Sequence, residues 1–528
     1  MNQKRQTIIR VILIFGILIF LNIVGIRLFT RFDLTETKMY TLSDASKNLV
    51  KNLEDKFLVK AYFTSELPSP YNNQKRYLQD QLDDYRAYGG GNFQYEFIDP
   101  KDNDEIEKEA QSYQIPPVQV QVVKEDKMQI EKAYMGMVFL YGDKKEVMPV
   151  LQNTANIEYE ISSAMKKMTS KELKKVGFLS GHDEIGMDKI GRLKQMLEKQ
   201  YQVMPVSLSN GQPITSDFAV VVIAAPEKPF KSWEKYLLDQ YLMKGGKVAF
   251  WLNKVKADLQ SQMGQALQLD MDDMLESYGV RINTDLVRDV RCVPVTVQQQ
   301  MGFFTMQSQS PFPMIPMASE FSKNSPIVKD LGTVILFFTS SIDTSLARGK
   351  GLQVETLIKS SDQSGRQEQF FMINPNAPMT KDLFSEKNIP LAVTLQGSFT
   401  SAFKDKSVEP DTSMMAPIDQ SNKQGTSVDT KIAVIGDGDF IQDAYSGNNK
   451  DNLIFASNLI DWLADDIGLA SIRSRETGAK PLDEVSEGTK SMVKYGNLLV
   501  PPILVVLVGV VRWRWRVSMR KRLESREL

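Results

Sequence analysis

The chain of 528 residues contains one cysteine, Cys292, and one histidine, His182. One thiol cannot make an intramolecular disulfide, a Cys-x-x-Cys redox pair or a cysteine-rich zinc site. One imidazole excludes a metal centre built mainly from histidines. Neither charge dominates, with 64 lysines and arginines against 65 aspartates and glutamates. No whole-molecule field therefore draws the chain to nucleic acid. No Gly-x-x-x-x-Gly-Lys-Ser/Thr stretch is present, so the chain is not itself a P-loop ATPase, and no Gly-x-Ser-x-Gly marks a nucleophile elbow. There is no internal repeat of fixed period. At roughly 100–200 residues per domain, the length accommodates two to four units.

The chain has long apolar runs only near its two ends. VILIFGILIFLNIVGI, 11–26, extended by Leu28 and Phe29, is about the length that crosses a bilayer as a helix, and Lys4, Arg5 and Arg10 precede it. The following RLFTRFDLTET has no small-x-small cleavage site, which favours an uncleaved anchor over a signal peptide. At the other end, Leu498 to Val511 is apolar but short, and it contains Pro501-Pro502, which are acceptable in a first helical turn. Trp513 and Trp515 suit a membrane interface, and Arg512, Arg514, Arg516, Arg520, Lys521 and Arg522 suit the positive-inside rule. The expectation is a cytoplasmic N-terminus at 1–10 and transmembrane helices at 11–29 and 495–515. A basic cytoplasmic tail follows at 516–528. The bulk of the chain then lies beyond the membrane, which in a bacterium means an inner-membrane protein with a periplasmic body. The bilayer is an expected partner and nucleic acid is not.

Between the anchors the patterning is α/β. Residues 56–63, 93–99, 118–126, 133–142 and 145–150 read as strands, and 71–88, 103–113 and 156–169 as helices. This order over 30–170 resembles the thioredoxin-like arrangement, with 118–126 after Pro116-Pro117 as its third main strand and without redox cysteines. From about 171 to 470, strands at 174–180, 201–208, 218–226, 247–253 and 431–436 alternate with helices at 188–200, 232–244 and 452–464, the rhythm of a doubly wound parallel sheet. That rhythm is interrupted at about 280–430 by a β-rich insertion. Within it VRINTDLV, VPVTVQ, TVILFFTS, GLQVETLIKS and IPLAVTLQG read as strands, and PFPMIPM as a loop. A polar linker spans 471–494.

Two strand ends carry candidate site residues. FLSGHDE places His182, Asp183 and Glu184 directly after a strand, at the carboxyl edge where open parallel sheets bind ligands. A histidine there could serve as base or metal ligand. The same residues also suit a Gly181 turn with carboxylates opening the next helix. VIGDGDF places Asp437 and Asp439 after another strand. With His182 they could hold a divalent ion for a hydrolase, or they could form a tight Gly/Asp turn. Cys292 has no histidine nearby in sequence with which to form a dyad.

YTLSDASKNLVKNL, FLSGHDE, GGKVAFWLN, VIGDGDF and NLIFASNLIDWLAD, in this order between two anchors, resemble the GldG-like family, gliding-motility-associated auxiliary components of ABC transporters in Bacteroidota. The resemblance covers nearly the whole chain. It implies a non-enzymatic, substrate-binding-like subunit that works beside a separate ABC ATPase and a multi-span permease. It brings no cofactor, no metal and no established catalytic residues. His182, Asp183, Glu184, Asp437 and Asp439 stay as ligand-binding candidates on the reading of the residues alone, beside a periplasmic hydrolase or an envelope scaffold for motility or secretion machinery as alternatives.

Overall fold

The computed structural model describes residues 41–524, except 66, 68–70, 102, 125–126, 152–155, 171, 210, 302–303, 409–417, 448, 466 and 474–486, together with Leu13, Ile14, Gly16 and Ile17, which are helical. The expected first span at 11–29 otherwise lies outside the described residues. Contacts divide the chain into two compact units, Met1–Gly478 and Ala479–Leu528.

The first unit opens with helix α1, Asp44–Lys51, which Ser43 caps by accepting the N–H of Ser46. Strand β1, Phe57–Phe63, leads through α2, Tyr71–Tyr88, to the parallel strand β2, Phe93–Ile98. Gly89 ends α2 where no side chain fits, since a Cβ would lie 2.6 Å from that of Phe93. Helix α3, Asp104–Ser112, precedes a hairpin of β3, Val118–Lys124, and β4, Lys127–Ala133. Strands β5, Met135–Tyr141, and β6, Lys144–Met148, complete a four-stranded sheet in the order β2-β1-β5-β6, with β5 antiparallel to β1. Helix α4, Ile157–Thr169, packs beneath it, and Phe57, Phe93 and Tyr85 stack in the core.

Two expectations change in this region. The 118–126 strand is not the third main strand, because the alternating valine and glutamine of VQVQVV offer only one apolar face and pair instead within the separate hairpin. The single strand expected at 133–142 breaks at Tyr134, whose backbone exchanges hydrogen bonds with Thr64 (3.0 and 3.1 Å).

An eight-stranded sheet forms the larger part. Strands β7, Lys174–Ser180, β8, Tyr201–Ser207, β9, Phe218–Ala224, and β10, Val248–Trp251, are joined by strands from the insertion: β11, Glu320–Phe321, β12, Gln353–Lys359, and β13, Pro390–Gly397. The last member is β14, Thr430–Ile435. The order is β11-β12-β13-β14-β10-β9-β7-β8. The pairs from β8 to β14 are parallel and those from β14 to β11 antiparallel.

Helices cover both faces. Val220, Val222 and Ala224 of β9 pack into one core with α5, Gly191–Leu197, and α7, Lys450–Leu463, while Val221 and Ile223 pack into the other with α6, Ser232–Met243. That two-sided burial is why β9 is apolar without a break. Each buried Val, Leu or Phe contributes about 1.5–3 kcal/mol relative to exposure.

The insertion thus extends the central sheet. PFPMIPM, expected as a loop, lies in the strand Phe304–Ala318, which pairs with Cys292–Met301; the register shifts between Cys292 and Pro294, where Cys292 faces Pro316 and Pro294 faces Pro311. TVILFFTS, expected as a strand, pairs with a sheet only at Val334–Ile335.

In the second unit, helix α8 runs from Glu487 to Glu524. It begins inside the expected linker, so Pro501 and Pro502 stand in its interior and not in a first turn. They remove the donors that Asn497 and Leu498 would meet. Residues Gly488–Ser518 have mean hydropathy up to 1.8 and none of that window is buried. Among the described residues this is the one helix long and apolar enough to cross a membrane.

Asp239 on α6 is wholly buried and accepts from Tyr278 Oη (2.9 Å), Ala402 N (2.9 Å), Ser401 Oγ (2.7 Å) and Gln240 Nε2 (2.9 Å). Asp239→Ala strands those donors and is expected to lower unfolding stability by about 3 kcal/mol, with Asp239→Asn intermediate. The check is a urea midpoint that shifts without a change in slope.

Candidate functional site

The carboxyl edge of the parallel strands is built from the turns after β7, β9, β10 and β14. Gly181, at φ +133°, and Asp183, at φ +59°, turn the chain sharply after β7. The carbonyl of His182 accepts the N–H groups of Glu227 (2.9 Å) and Lys228 (3.1 Å), and Ile185 donates to the carbonyl of Ala224 (3.1 Å). The first turn is thereby sewn to the end of β9.

His182 is buried, with its ring flat on Phe230 at 3.8 Å. Nδ1 lies 3.1 Å from Glu184 and Nε2 3.0 Å from Glu234. Burial alone would disfavour the charged ring, but hydrogen bonds and attraction from Glu184 and Glu234 outweigh it and push the pKa up from 6.5 to about 9. The ring is therefore an imidazolium whose two N–H groups are both spoken for, with no lone pair for a metal or a substrate proton. Burial would raise the pKa of Glu234, but the hydrogen bond with His182, and then that from Lys231 N (2.8 Å) at the start of α6, hold it below its ordinary range. Asp183 points outward and pairs with Lys228 at 2.9 Å.

Asp437 is fully buried. One oxygen accepts from Phe337 N (2.6 Å) and the other from Asp439 N (2.7 Å). Burial, and then the charge of Asp439, push its pKa well above the carboxylate range. Asp439 is raised by burial as well, although it accepts from Asn253 Nδ2 (2.8 Å) and Gln442 Nε2 (2.5 Å). Gly438 donates to Asn253 Oδ1 (2.8 Å), and a Cβ on it would meet Ala225 N at 2.5 Å and Trp251 O at 2.6 Å. Only glycine fits between the neighbouring strand ends.

His182, Asp183, Glu184, Asp437 and Asp439 thus share one rim of the sheet, where Glu227 acts electrostatically on Asp439 and donates its N–H to His182. Their side chains turn to separate partners. Among the described residues no three His, Cys, Asp or Glu side chains are grouped to hold a metal ion.

Residues 332–341 are joined to this same edge. Gly332 and Thr333 donate to Asp451 (both 2.9 Å), Ile335 exchanges two hydrogen bonds with the Asn452 side chain (both 2.8 Å), Phe337 donates to Asp437, and Ser340 donates to the carbonyl of Gly436 (2.7 Å). Sequence reading missed this covering segment, since its anchors lie more than a hundred residues away in the chain or nearly so. It also missed Arg473, which is 3% exposed. Its guanidinium reaches Asp461 and Asn458 (both 2.9 Å) and Tyr159 Oη (3.0 Å), joining α4 to α7. An aspartate inside the apolar run of α7 was the available signal.

A family model described as an ABC-type uncharacterized transport system matches residues 173–465. A second model, a domain of unknown function, matches 36–140. Over 512 residues the chain is 23% identical to an uncharacterized protein of Borreliella burgdorferi, covering 94% of this chain and 95% of that one. Solved structures resemble it only loosely. The mmIFT52 N-terminal domain has 15% identity and a TM-score of 0.32, covering 55% of this chain and 97% of its own. The exo-beta-1,4-mannosidase Op5Man5 from Opitutaceae bacterium strain TAV5 has 11% identity and a TM-score of 0.22, covering 77% and 50%. Superpositions at this level carry no argument.

The folded pKa of His182 lies above its unfolded value of 6.5. Its contribution to stability is therefore complete below about pH 6.5 and is lost as pH rises through about 9. A proton-resonance titration of the single imidazole should place its midpoint near 9, and Glu234→Gln should bring it down. The urea midpoint of His182→Gln should fall short of the parent at pH 6 and approach it by pH 10.

Proposed function

The chain belongs to the family of ABC-type uncharacterized transport systems, as an auxiliary component, and from that premise we propose that it is a non-enzymatic, membrane-anchored subunit that contacts a separate ABC ATPase and a multi-span permease. The observation that carries the anchoring is α8. Leu498, Leu499, Val500, Ile503, Leu504, Val505, Val506, Leu507 and Val508 all stand exposed along it, which is stable only in an apolar surrounding. Trp513 and Trp515, followed by arginines, give that helix its interfacial end and point the tail to the cytoplasm. With a second span at 11–29, both termini are cytoplasmic and residues 30–494 face the periplasm of an inner-membrane protein. Two spans cannot enclose a transport path, and the chain has no phosphate-binding loop, so transport and ATP hydrolysis fall to partners.

The architecture supports contact more than catalysis. We read the 30–170 region, with its β2-β1-β5-β6 order, as a thioredoxin-like domain without redox chemistry. The 171–470 region is read as a doubly wound domain whose usual ligand crevice is covered by its own insertion. His182, Glu184, Asp437 and Asp439 are assigned to holding that edge together, and a ligand bound there would have to displace 332–341. Service in gliding motility rests on the GldG-like resemblance alone.

The test is gentle detergent purification of the full-length chain with mass spectrometry of its companions. An ATPase and a multi-span permease should come with it and be lost when 1–29 and 495–528 are removed. Recovery of the chain alone, under conditions that keep a known membrane complex together, would refute a stable subunit.

A further inference from the structure

Three stretches of the sequence, 259–269, 292–319 and 369–380, hold no Lys, Arg, Asp or Glu, in a chain of which 24% is charged. The fold brings them together in one lobe. Strands Val255–Asp258 and Met263–Ala266 pair as a hairpin, and its second strand meets the 369–380 stretch. Gly264 donates to the carbonyl of Phe371 (2.7 Å), Ile373 donates to that of Gln262 (2.8 Å), and Met263 stands opposite Met372. The long hairpin of Cys292–Met301 and Phe304–Ala318 joins them through Ser310 Oγ, which donates to the carbonyl of Pro375 (3.1 Å). Val255, Phe312, Met314, Phe371 and Ile373 share one core.

The outer face of this lobe is apolar as well as uncharged. Phe371 and Ile373 are buried, while the alternate positions Phe370 and Met372 are 77% and 54% exposed. Met263, opposite Met372, is 45% exposed, and Leu259 in the hairpin turn is 58% exposed. Charges return at the ends of the stretches, with Asp258, Arg291, Glu320, Glu368 and Lys381. A centre rich in Met and Phe and poor in charge, within a charged border, is the composition of a protein–protein contact. It is not that of a bilayer contact. Lys and Arg, which meet anionic headgroups, and Trp and Tyr, which sit at the membrane interface, are absent from all three stretches.

We propose that this face is a two-fold interface between two copies of the chain, with Met263, Phe370 and Met372 at its centre. A two-fold contact sets one patch against itself. Any charge near the axis then faces its own like, whereas an uncharged patch of Phe and Met is complementary to its copy. Methionine helps, because its unbranched, polarizable side chain adapts to an irregular mate. The exposed Gln260, Gln262 and Gln369 fit as well, since an amide carries both donors and an acceptor and can pair with its own kind. The inference does not depend on which transport subunits the chain meets.

The experiment uses the full-length chain in a non-ionic detergent and measures its mass by sedimentation equilibrium over a range of concentrations. The parent should reach twice the chain mass. Phe370→Asp should weaken the association by roughly thirtyfold or more, the effect of losing one central interface side chain. Phe370→Lys should do the same, and an equal mixture of the two variants should regain the dimer, because opposite charges then face each other across the axis. An unshifted titration midpoint of His182 in each variant shows that the fold is intact. A parent that is monomeric at every concentration would overturn the proposal. So would a dimer that Phe370→Asp leaves unaltered, which assigns association to the membrane helix. A monomer whose Phe370→Asp variant sheds an ATPase or permease companion would overturn it too, and would assign the face to another subunit.

Discussion

A carboxylate taken out of water must be given hydrogen bonds in return, and the long insertion of this protein is routed by that requirement. Asp239, Asp285, Asp289 and Asp437 are each at most 1% exposed. Asp285 takes the N–H and hydroxyl of Ser341 (2.8 and 2.5 Å), and Asp289 takes those of Ser361 (2.7 and 2.6 Å) and the N–H of Arg291 (2.8 Å). The desolvation cost of such an ion is several kcal/mol. It is offset only when these particular backbone groups come to it. A segment that strayed would leave both the carboxylate and its own amides unsatisfied, so each aspartate fixes a loop that hydrophobic burial alone would leave free to slide.

That routing bears on function. Parallel sheets of this kind commonly expose a crevice where the strand order reverses. Here 332–341 is held against that edge by Asp437, Asp451 and Asn452, and the His182 ring is held between two glutamates. The polar groups at that edge are thus engaged by the protein's own residues.

Much of the fold could be read in the sequence wherever local pattern and burial agree. Strands at 174–180, 201–208 and 218–226 alternating with helices at 188–200 and 232–244 announced a parallel sheet, and β7, β8, β9 and β10 pair in parallel with helices on both faces. The failures came where the deciding partner was distant. VQVQVV has the pattern of a strand, but its single apolar face suits the separate hairpin, and β5 takes the place beside β1. TVILFFTS has strand composition, but Asp437 and Asn452 supply acceptors that a neighbouring strand would otherwise provide. The three prolines of PFPMIPM argue for a loop until the pairing partner is seen to bring its own proline and irregularity to the same place. For the candidate site, the proximity of His182 and Glu184 was visible, but Glu234, fifty-two residues further on, was not. Without it an imidazolium clamp and a catalytic base look alike. Arg473 was hidden for the same reason, since its importance lies in Asp461, Asn458 and Tyr159 and not in its own neighbours.

The manner in which 332–341 is attached also governs how this protein can change over time. Its backbone bonds to Asp451, Asn452, Asp437 and Gly436, while Val334, Leu336, Phe337 and Phe338 bury their side chains in the cores beneath and Ser340 and Ser341 bond through their hydroxyls. Inheritance is then held on two counts at once, by the residues that grip the stretch and by the apolar side chains it buries. The revealing positions in a set of descendants would then come in pairs, an acceptor that grips the stretch and a buried apolar residue within it, which must change together or not at all.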